Sequence, residues 1–419
     1  MSSQRASIPR TRSAVRRPLF ALCVGLAGLI VVGTVLPPIL YPLWMVRFFA
    51  RELALFGGLL AALGLGLWLR SRAGQTTALR WLGIALCTGL LLLLSRPLLT
   101  ALPLFRHQQM WFSPWQYLRI AAPSPKPSRI IEERDVALSA DRPDLRVDVY
   151  RPSADSTNRV APVGSAVVVV HGGSFQRGDK GDVPQVSRAL SDIGYVVFDL
   201  RYRLAPQARF PAAVQDILCI VGRLAEPTAQ QRYGIHRQRI ALLGRSAGGT
   251  LVLSAAYAAA LQQASGPSDI DRPALGAGCA VVDVVPAAVI ALYPWTDLAQ
   301  VYASPPRPDP LNTREVMEAY LGGSPAQLPG PYRHGSPTFY ATTRKPLPAT
   351  LLIHGKDDSL VPAQQSALLA RALIDHGHAV TQVEIPLAEH GFDHRAGGVA
   401  EQLARAAIPS FLSHALATR

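Results

Sequence analysis

Three residues of this 419-residue chain, a serine, an aspartate and a histidine, each follow a short apolar run, which is where a sheet presents groups for chemistry. Ser246 lies in Gly244-Arg245-Ser246-Ala247-Gly248, between the strand-like Ile240–Leu243 and a helix-like stretch opening at Gly249. The flanking glycines permit a sharp strand-to-helix turn that holds a hydroxyl exposed beside a helix N-terminus, as a nucleophile requires. A phosphate-binding loop fits less well, because Thr250 follows Gly249 where that motif needs lysine. Downstream, Ala349–Ile353 runs into His354-Gly355-Lys356-Asp357-Asp358, and Val380–Pro386 leads to Glu389-His390-Gly391-Phe392. A histidine can take the proton of a serine hydroxyl during attack, and a carboxylate can hold that imidazole in the useful tautomer. Upstream, Ala166–Val170 ends in His171-Gly172-Gly173-Ser174-Phe175, whose glycines let backbone N–H groups converge on a developing oxyanion. The expected chemistry is acyl transfer through Ser246, Asp358 and His390, in that chain order.

With Tyr202-Arg203-Leu204-Ala205-Pro206 and Phe210-Pro211-Ala212-Ala213-Val214-Gln215-Asp216, these motifs resemble the α/β-hydrolase superfamily, and within it the hormone-sensitive-lipase-like and related carboxylesterases. The resemblance covers residues 130 to 415. It implies that the backbone N–H groups of Gly172 or Gly173, Ser174 and Ala247 form the oxyanion hole, and that His171 braces its loop. It selects Asp358 over Asp357, three residues before Val361, and His390 over His394, through the Gly391-Phe392 pair that follows. Two positions depart from the pattern: Ser174 stands where glycine is usual, and Arg245 precedes the nucleophile where relatives carry an acid or histidine. Neither names a substrate. His354 reads as architectural, His376 and His378 as helix-end residues, and Asp216 as a bond to a neighbouring loop or backbone. With no His-Glu-x-x-His and no metal-like cysteine spacing, neither a metal nor a cofactor is expected.

Stepping along the chain, the elements that must carry these residues alternate as strand and helix. Short strands at Val136–Leu138 and Arg146–Tyr150 open an antiparallel edge. Those at Ala166–Val170, Tyr195–Asp199, Ile240–Leu243, Ala288–Tyr293, Leu351–Ile353 and Gln382–Ile385 follow, with helices at Pro211–Leu224 and Ala363–His376. This rhythm predicts an α/β fold with a mostly parallel central sheet and helices on both faces. The longest interruption, residues 296–348, carries ten prolines and reads as a cap insertion built around a short helix at Thr313–Leu321.

Charge divides the chain sharply. Residues 1–120 hold 13 arginines, no lysine and one acid, Glu52, so nearly all of the net charge of +14 belongs there. No aromatic-interleaved basic stripe accompanies it, and a nucleic-acid partner is not expected. Instead, three apolar runs lie between the arginines: Leu19–Leu40, Leu53–Leu69, and Leu79–Leu94 with a continuation towards Leu104. About 17–25 apolar residues span a bilayer. An all-α anchor of three transmembrane helices over residues 1–120 is therefore expected, followed by a Pro-rich linker at 121–129 and the catalytic domain at 130–419. The aromatic cluster from Met110 to Tyr117 suits a membrane interface. Arginine placement favours a cytoplasmic N-terminus, and three crossings then put the catalytic domain outside, whereas two would leave it inside. Cys23 and Cys87 fall in the apolar runs; Cys219 and Cys279 could pair in an oxidising compartment, which their positions alone do not establish.

The expected activity is hydrolysis of acyl or acetyl esters, the substrate being a small molecule or lipid near a bilayer. Two other functions are compatible with parts of the pattern. Asp358-Ser359-Leu360-Val361-Pro362 also suits prolyl-oligopeptidase-type peptidases, although residues 130–165 are too few for their extra domain, and a non-catalytic tethered scaffold would not need an intact Ser, Asp and His.

Overall fold

The computed structural model describes residues 11–71, 76–120, 129–138, 142–153, 160–265 and 284–417. The chain divides into two units, Met1–Pro103 and Leu104–Arg419.

In the first unit, the arginine-flanked apolar runs become helices: α1 (Thr11–Val35), α2 (Tyr41–Glu52), α3 (Ala54–Leu69) and most of α4 (Thr77–His107). Arg16–Val35 and Thr77–His107 are each long and apolar enough to cross a membrane, whereas α2 and α3 meet at a bend of 56°. The second apolar run is thus the 16-residue α3, preceded by a separate helix and not by a loop. Small residues set the packing inside this unit: Ala27, Ala54 and Ala61 are buried together with Leu94. Leucines such as Leu22, Leu29 and Leu82 face outward. Small residues between helices and large apolar ones outside is the arrangement lipid rewards.

The second unit begins earlier than the sequence indicates. The expected anchor runs to residue 120 with a linker at 121–129, whereas the second unit takes in the chain from Leu104. The reason lies in the short helix α5 (Pro114–Leu118) and its cap. Ser113 donates its N–H to Gln402 Oε1 at 2.8 Å and accepts from Gln402 Nε2 at 3.2 Å, while Tyr117 and Ile120 are buried. Trp111 and Trp115 point away, 93% and 79% exposed. The Pro-rich segment at 121–128 lies outside the described residues.

An eight-stranded sheet organises this unit, in the order β1-β2-β4-β3-β5-β6-β7-β8. The strands are β1 (Ile130–Ala137), β2 (Arg146–Pro152), β3 (Ala166–Val170), β4 (Val196–Leu200), β5 (Ile240–Arg245), β6 (Ala288–Leu292), β7 (Ala349–Gly355) and β8 (Val380–Ile385). β1 and β2 are antiparallel to their neighbours and the other pairings are parallel. β3, β4, β5 and β6 are buried along their whole length, which explains their unbroken apolar runs. β1 starts six residues before the expected strand. Its Glu132-Glu133-Arg134-Asp135 sequence hides a strand that ion pairs of Glu132 with Arg188 and of Arg134 with Asp148 support, with a bulge between Glu133 and Val136.

Helices α6 (Pro184–Asp192), α7 (Ala212–Leu224), α8 (Pro227–Tyr233), α9 (Ala247–Ser265), α14 (Gln364–Asp375) and α15 (Val399–Ala417) accompany the sheet. α6 and α15 cover one face, and α7, α9 and α14 the other. Between β6 and β7 the insertion folds as four short helices and not one: α10 (Leu298–Ala303), α11 (Thr313–Leu321), α12 (Pro329–Gly335) and α13 (Pro337–Ala341). Prolines that look like breakers in the sequence begin α12 and α13, where the missing N–H costs nothing.

Candidate active site

Four loops leave the carboxyl ends of parallel strands β3, β5, β7 and β8 and carry the residues singled out above. Ser246 occupies the turn between β5 and α9 with a φ of +54°, an energetically costly backbone for a non-glycine residue. The turn persists because its neighbours are glycines: a Cβ on Gly244 would lie 2.1 Å from the Gly248 carbonyl oxygen, and one on Gly248 would lie 2.3 Å from the carbonyl oxygens of Val170 and His171. The Ser246 N–H donates to Leu292 O at 2.9 Å, fixing the turn to the end of β6.

His390, on the loop after β8, places Nε2 2.9 Å from Ser246 Oγ and Nδ1 2.7 Å from Asp358 Oδ2. All three residues are buried. The remaining acceptor sites of Asp358 are filled: Oδ1 receives the N–H groups of Leu360 (2.9 Å) and Val361 (2.8 Å), and His354 Nε2 stands 3.2 Å from Oδ2. Burial opposes ionisation of Asp358, but the charge and hydrogen bonds of His390 and His354 outweigh it and hold the carboxyl down at about 2. Asp358 is therefore a carboxylate throughout the range in which an imidazole titrates.

The β3 loop closes against this group. A Cβ on Gly172 would sit 3.1 Å from the Ser246 Cβ. Among the described residues, the N–H groups of Gly172, Gly173 and Ser174 have no hydrogen-bond partner. Ser174 adopts a φ of +54°, so it takes up a backbone shape that glycine fills more readily. Ala247 is the first residue of α9, so its N–H is among the helix-start donors without an intrahelical acceptor. His171 is buried with its ring stacked on Tyr202 at 4.2 Å, and burial pushes its imidazole below the usual value; its Nδ1 lies 2.8 Å from Gly172 O.

Other sequence candidates lie apart from the serine. Asp357 is not the carboxylate that touches His390, and His394 is exposed. Asp216 is buried and paired with Arg142 at 3.0 Å and Arg203 at 2.8 Å. His376 caps α14 by contact with Ala372 O, and His378 reaches Thr343 O. Among the described residues no cluster of His, Cys, Asp and Glu could hold a metal ion.

Several residues around the site carried no sequence signal. His354 is the nearest case: it looked architectural, and it is, bonding Ser366 and Val361, but it also touches the acid. Glu389 Oε1 accepts from the Ser359 N–H at 2.6 Å, the Ser359 hydroxyl at 2.9 Å and the His390 N–H at 3.1 Å. Asp393 pairs with Arg245, the residue before the serine, and accepts from the Tyr293 hydroxyl.

The BD-FAE family profile matches residues 147–373, and the chain belongs to that family. Esterase LipQ of Mycobacterium tuberculosis is 27% identical over 274 residues, which are 64% of this chain and 58% of that protein. An acetyl-hydrolase of Streptomyces hygroscopicus is 30% identical over 232 residues, 53% of this chain and 66% of that one. The chain spans less than two thirds of the length of these curated relatives. Among solved structures, a truncated carbohydrate esterase from gut microbiota aligns with a TM-score of 0.57 and 19% identity, covering 70% of this chain and 99% of that one. The shared architecture is the α/β-hydrolase fold.

Proposed function

We propose that this protein is a membrane-anchored serine hydrolase that cleaves carboxylic esters. The observation that carries the reading is the chain of hydrogen bonds from Ser246 Oγ through the His390 imidazole to Asp358, at 2.9 and 2.7 Å. In the proposed reaction His390 Nε2 takes the hydroxyl proton as Ser246 Oγ attacks the ester carbonyl carbon. Asp358 steadies the imidazolium, and the oxyanion forms among the N–H groups of Gly172 or Gly173, Ser174 and Ala247. Collapse releases the alcohol, which leaves with the proton from His390. Water, deprotonated by the same imidazole, then hydrolyses the acyl-serine. The names borne by similar proteins, an esterase and an acetyl-hydrolase, support acyl or acetyl esters as the substrate class.

In the same proposal α1 and α4 cross the bilayer, and the bent pair α2–α3 makes a third crossing. The arginines from Arg5 to Arg17 and from Arg70 to Arg80 favour a cytoplasmic position for those segments, which puts the hydrolase domain on the far side. Cys219 is disulfide-bonded, which suits an oxidising compartment. Trp111 and Trp115, exposed just after α4, suit the headgroup layer.

Hydrolysis of nitrophenyl esters of graded acyl length, by the detergent-purified protein and its Ser246→Ala variant, tests the activity. Turnover that falls at least ~10³-fold in the variant is expected. Equal inertness of both on every ester would remove the proposal. Reaction of an introduced Ser413→Cys, on α15, with an impermeant thiol reagent in intact cells tests the side: labelling is expected, and protection until lysis would place the domain in the cytoplasm.

A further inference from the structure

Arg245 points inward under the nucleophile turn. Its guanidinium makes a two-pronged pair with Asp393, Nε to Oδ2 at 2.5 Å and Nη2 to Oδ1 at 3.0 Å, and both side chains are buried. The Tyr293 hydroxyl donates to the same carboxylate, and the Tyr293 ring faces His390 with centroids 4.4 Å apart and Phe392 at 5.3 Å. Tyr293 is itself tied to β7 by its N–H on Ile353 O. Arg245 adjoins Ser246 in sequence, and Asp393 follows His390 by three residues. The pair therefore links the two loops whose side chains must meet. On the other flank of the histidine, Glu389 bonds Ser359, the neighbour of Asp358.

A buried ion pair is a poor way to gain stability, since well-packed apolar residues of similar volume commonly do as well. Its distinguishing property is geometry: a planar fork on a carboxylate fixes direction as well as distance. The loop from Leu387 to Gly398 belongs to no helix or strand, so its position depends on such bonds. Burial opposes ionisation of Asp393, but Arg245 and the Tyr293 hydroxyl hold its carboxyl below the usual range, so the pair stays charged.

We propose that Arg245, Asp393 and Tyr293 are positioning residues, which hold the His390 loop against the nucleophile turn so that the imidazole stays on Ser246 Oγ. This rests on the hydrolase reading above. It also gives the unusual arginine before the nucleophile a role that involves no substrate contact.

The test compares the full chain in detergent with Arg245→Met/Asp393→Leu, Arg245→Lys and Tyr293→Phe, reading melting temperature, KM and kcat on one nitrophenyl ester. The double variant is expected to melt near the wild type with KM within about threefold, while kcat falls about 10²-fold, the scale of a misplacement near 1 Å. Arg245→Lys, which keeps charge and loses the fork, is expected to recover only part of kcat. If the double variant fails to fold, Tyr293→Phe decides: it leaves the pair intact and is expected to lose about tenfold in kcat at unchanged KM. A folded double variant, or failing that Tyr293→Phe, with kcat within threefold of wild type would show the cluster to be structural only and overturn the proposal. A wild type inert on esters would remove the hydrolase reading and this proposal together, and is told apart by needing no variant at all.

Discussion

The two units of this chain use similar apolar residues in opposite ways. In the first, Leu29 is 67% exposed while alanines fill the space between helices. In the second, Leu243 is 0% exposed on the strand that leads to Ser246, and charged groups lie beneath the surface with it. Large apolar groups outside and small ones between helices suit a hydrocarbon surrounding, as the proposed membrane anchor requires. The second unit shows what water selects instead: apolar area is removed from solvent, and a charge that is buried is best matched by a partner. Arg245 with Asp393, next to the serine, and Asp216 with Arg142 and Arg203, apart from it, are two such instances.

The contrast yields measurements of decreasing size. The largest effect falls on the buried polar chain. Asp358→Asn keeps shape but not the tautomer control of His390, and kcat is expected to fall about 10⁴-fold with KM little changed. A loss under tenfold would mean that Asp358 serves only the fold. Next comes packing. Leu243→Ala in the water-facing unit is expected to cost about 2–5 kcal/mol in denaturant unfolding, because the site is closed on every side. Retention of wild-type stability would contradict its burial.

A third measurement concerns a buried charge with less compensation. Burial, reinforced by Asp148 and Asp182 and opposed by the Gly181 N–H and Ser187, raises the Asp199 carboxyl to about 7. A raised carboxylate pKa means that the folded state binds the proton more tightly than the unfolded chain does. Stability from this group is thus full below the ordinary value of 3.8 and is lost as pH rises through about 7. Asp199→Asn is expected to flatten the fall in stability between pH 4 and 7, and parallel profiles for variant and wild type would argue against it. The smallest effect belongs to the first unit: Leu29→Ala in detergent should change thermal stability by less than about 0.5 kcal/mol, since the side chain is largely exposed. A loss comparable with that of Leu243→Ala would mean that this face is covered by protein and not by lipid.

Much of this was legible from residue order. Gly244, Ser246 and Gly248 encode the turn locally, and the apolar runs of β3, β5 and β7 say where the loops begin. The meeting of Ser246, His390 and Asp358 could be anticipated because each sits at a strand end, and parallel strands put those ends on one edge. What escaped is what depends on pairing across long separations. Asp393 and Arg245 are 148 positions apart; Arg245 stands out before the serine, but its partner becomes visible only when the loops are adjacent. β1 escaped because its charges are neutralised by partners on β2 and α6 that no local window contains. The domain start escaped because Ser113 belongs to α15 through Gln402, 289 positions away. In the insertion between β6 and β7 the helix Thr313–Leu321 was legible, whereas α12 and α13 were obscured by prolines whose place at a helix start becomes visible only in the fold.

The proposed reaction stands or falls on Ser246 as the nucleophile. Its most direct test is mass spectrometry of peptides from the full chain treated with a fluorophosphonate. One phosphonyl adduct, on Ser246 and absent from Ser246→Ala, is the expected result. An adduct on another serine that tracks the loss of esterase activity would contradict it.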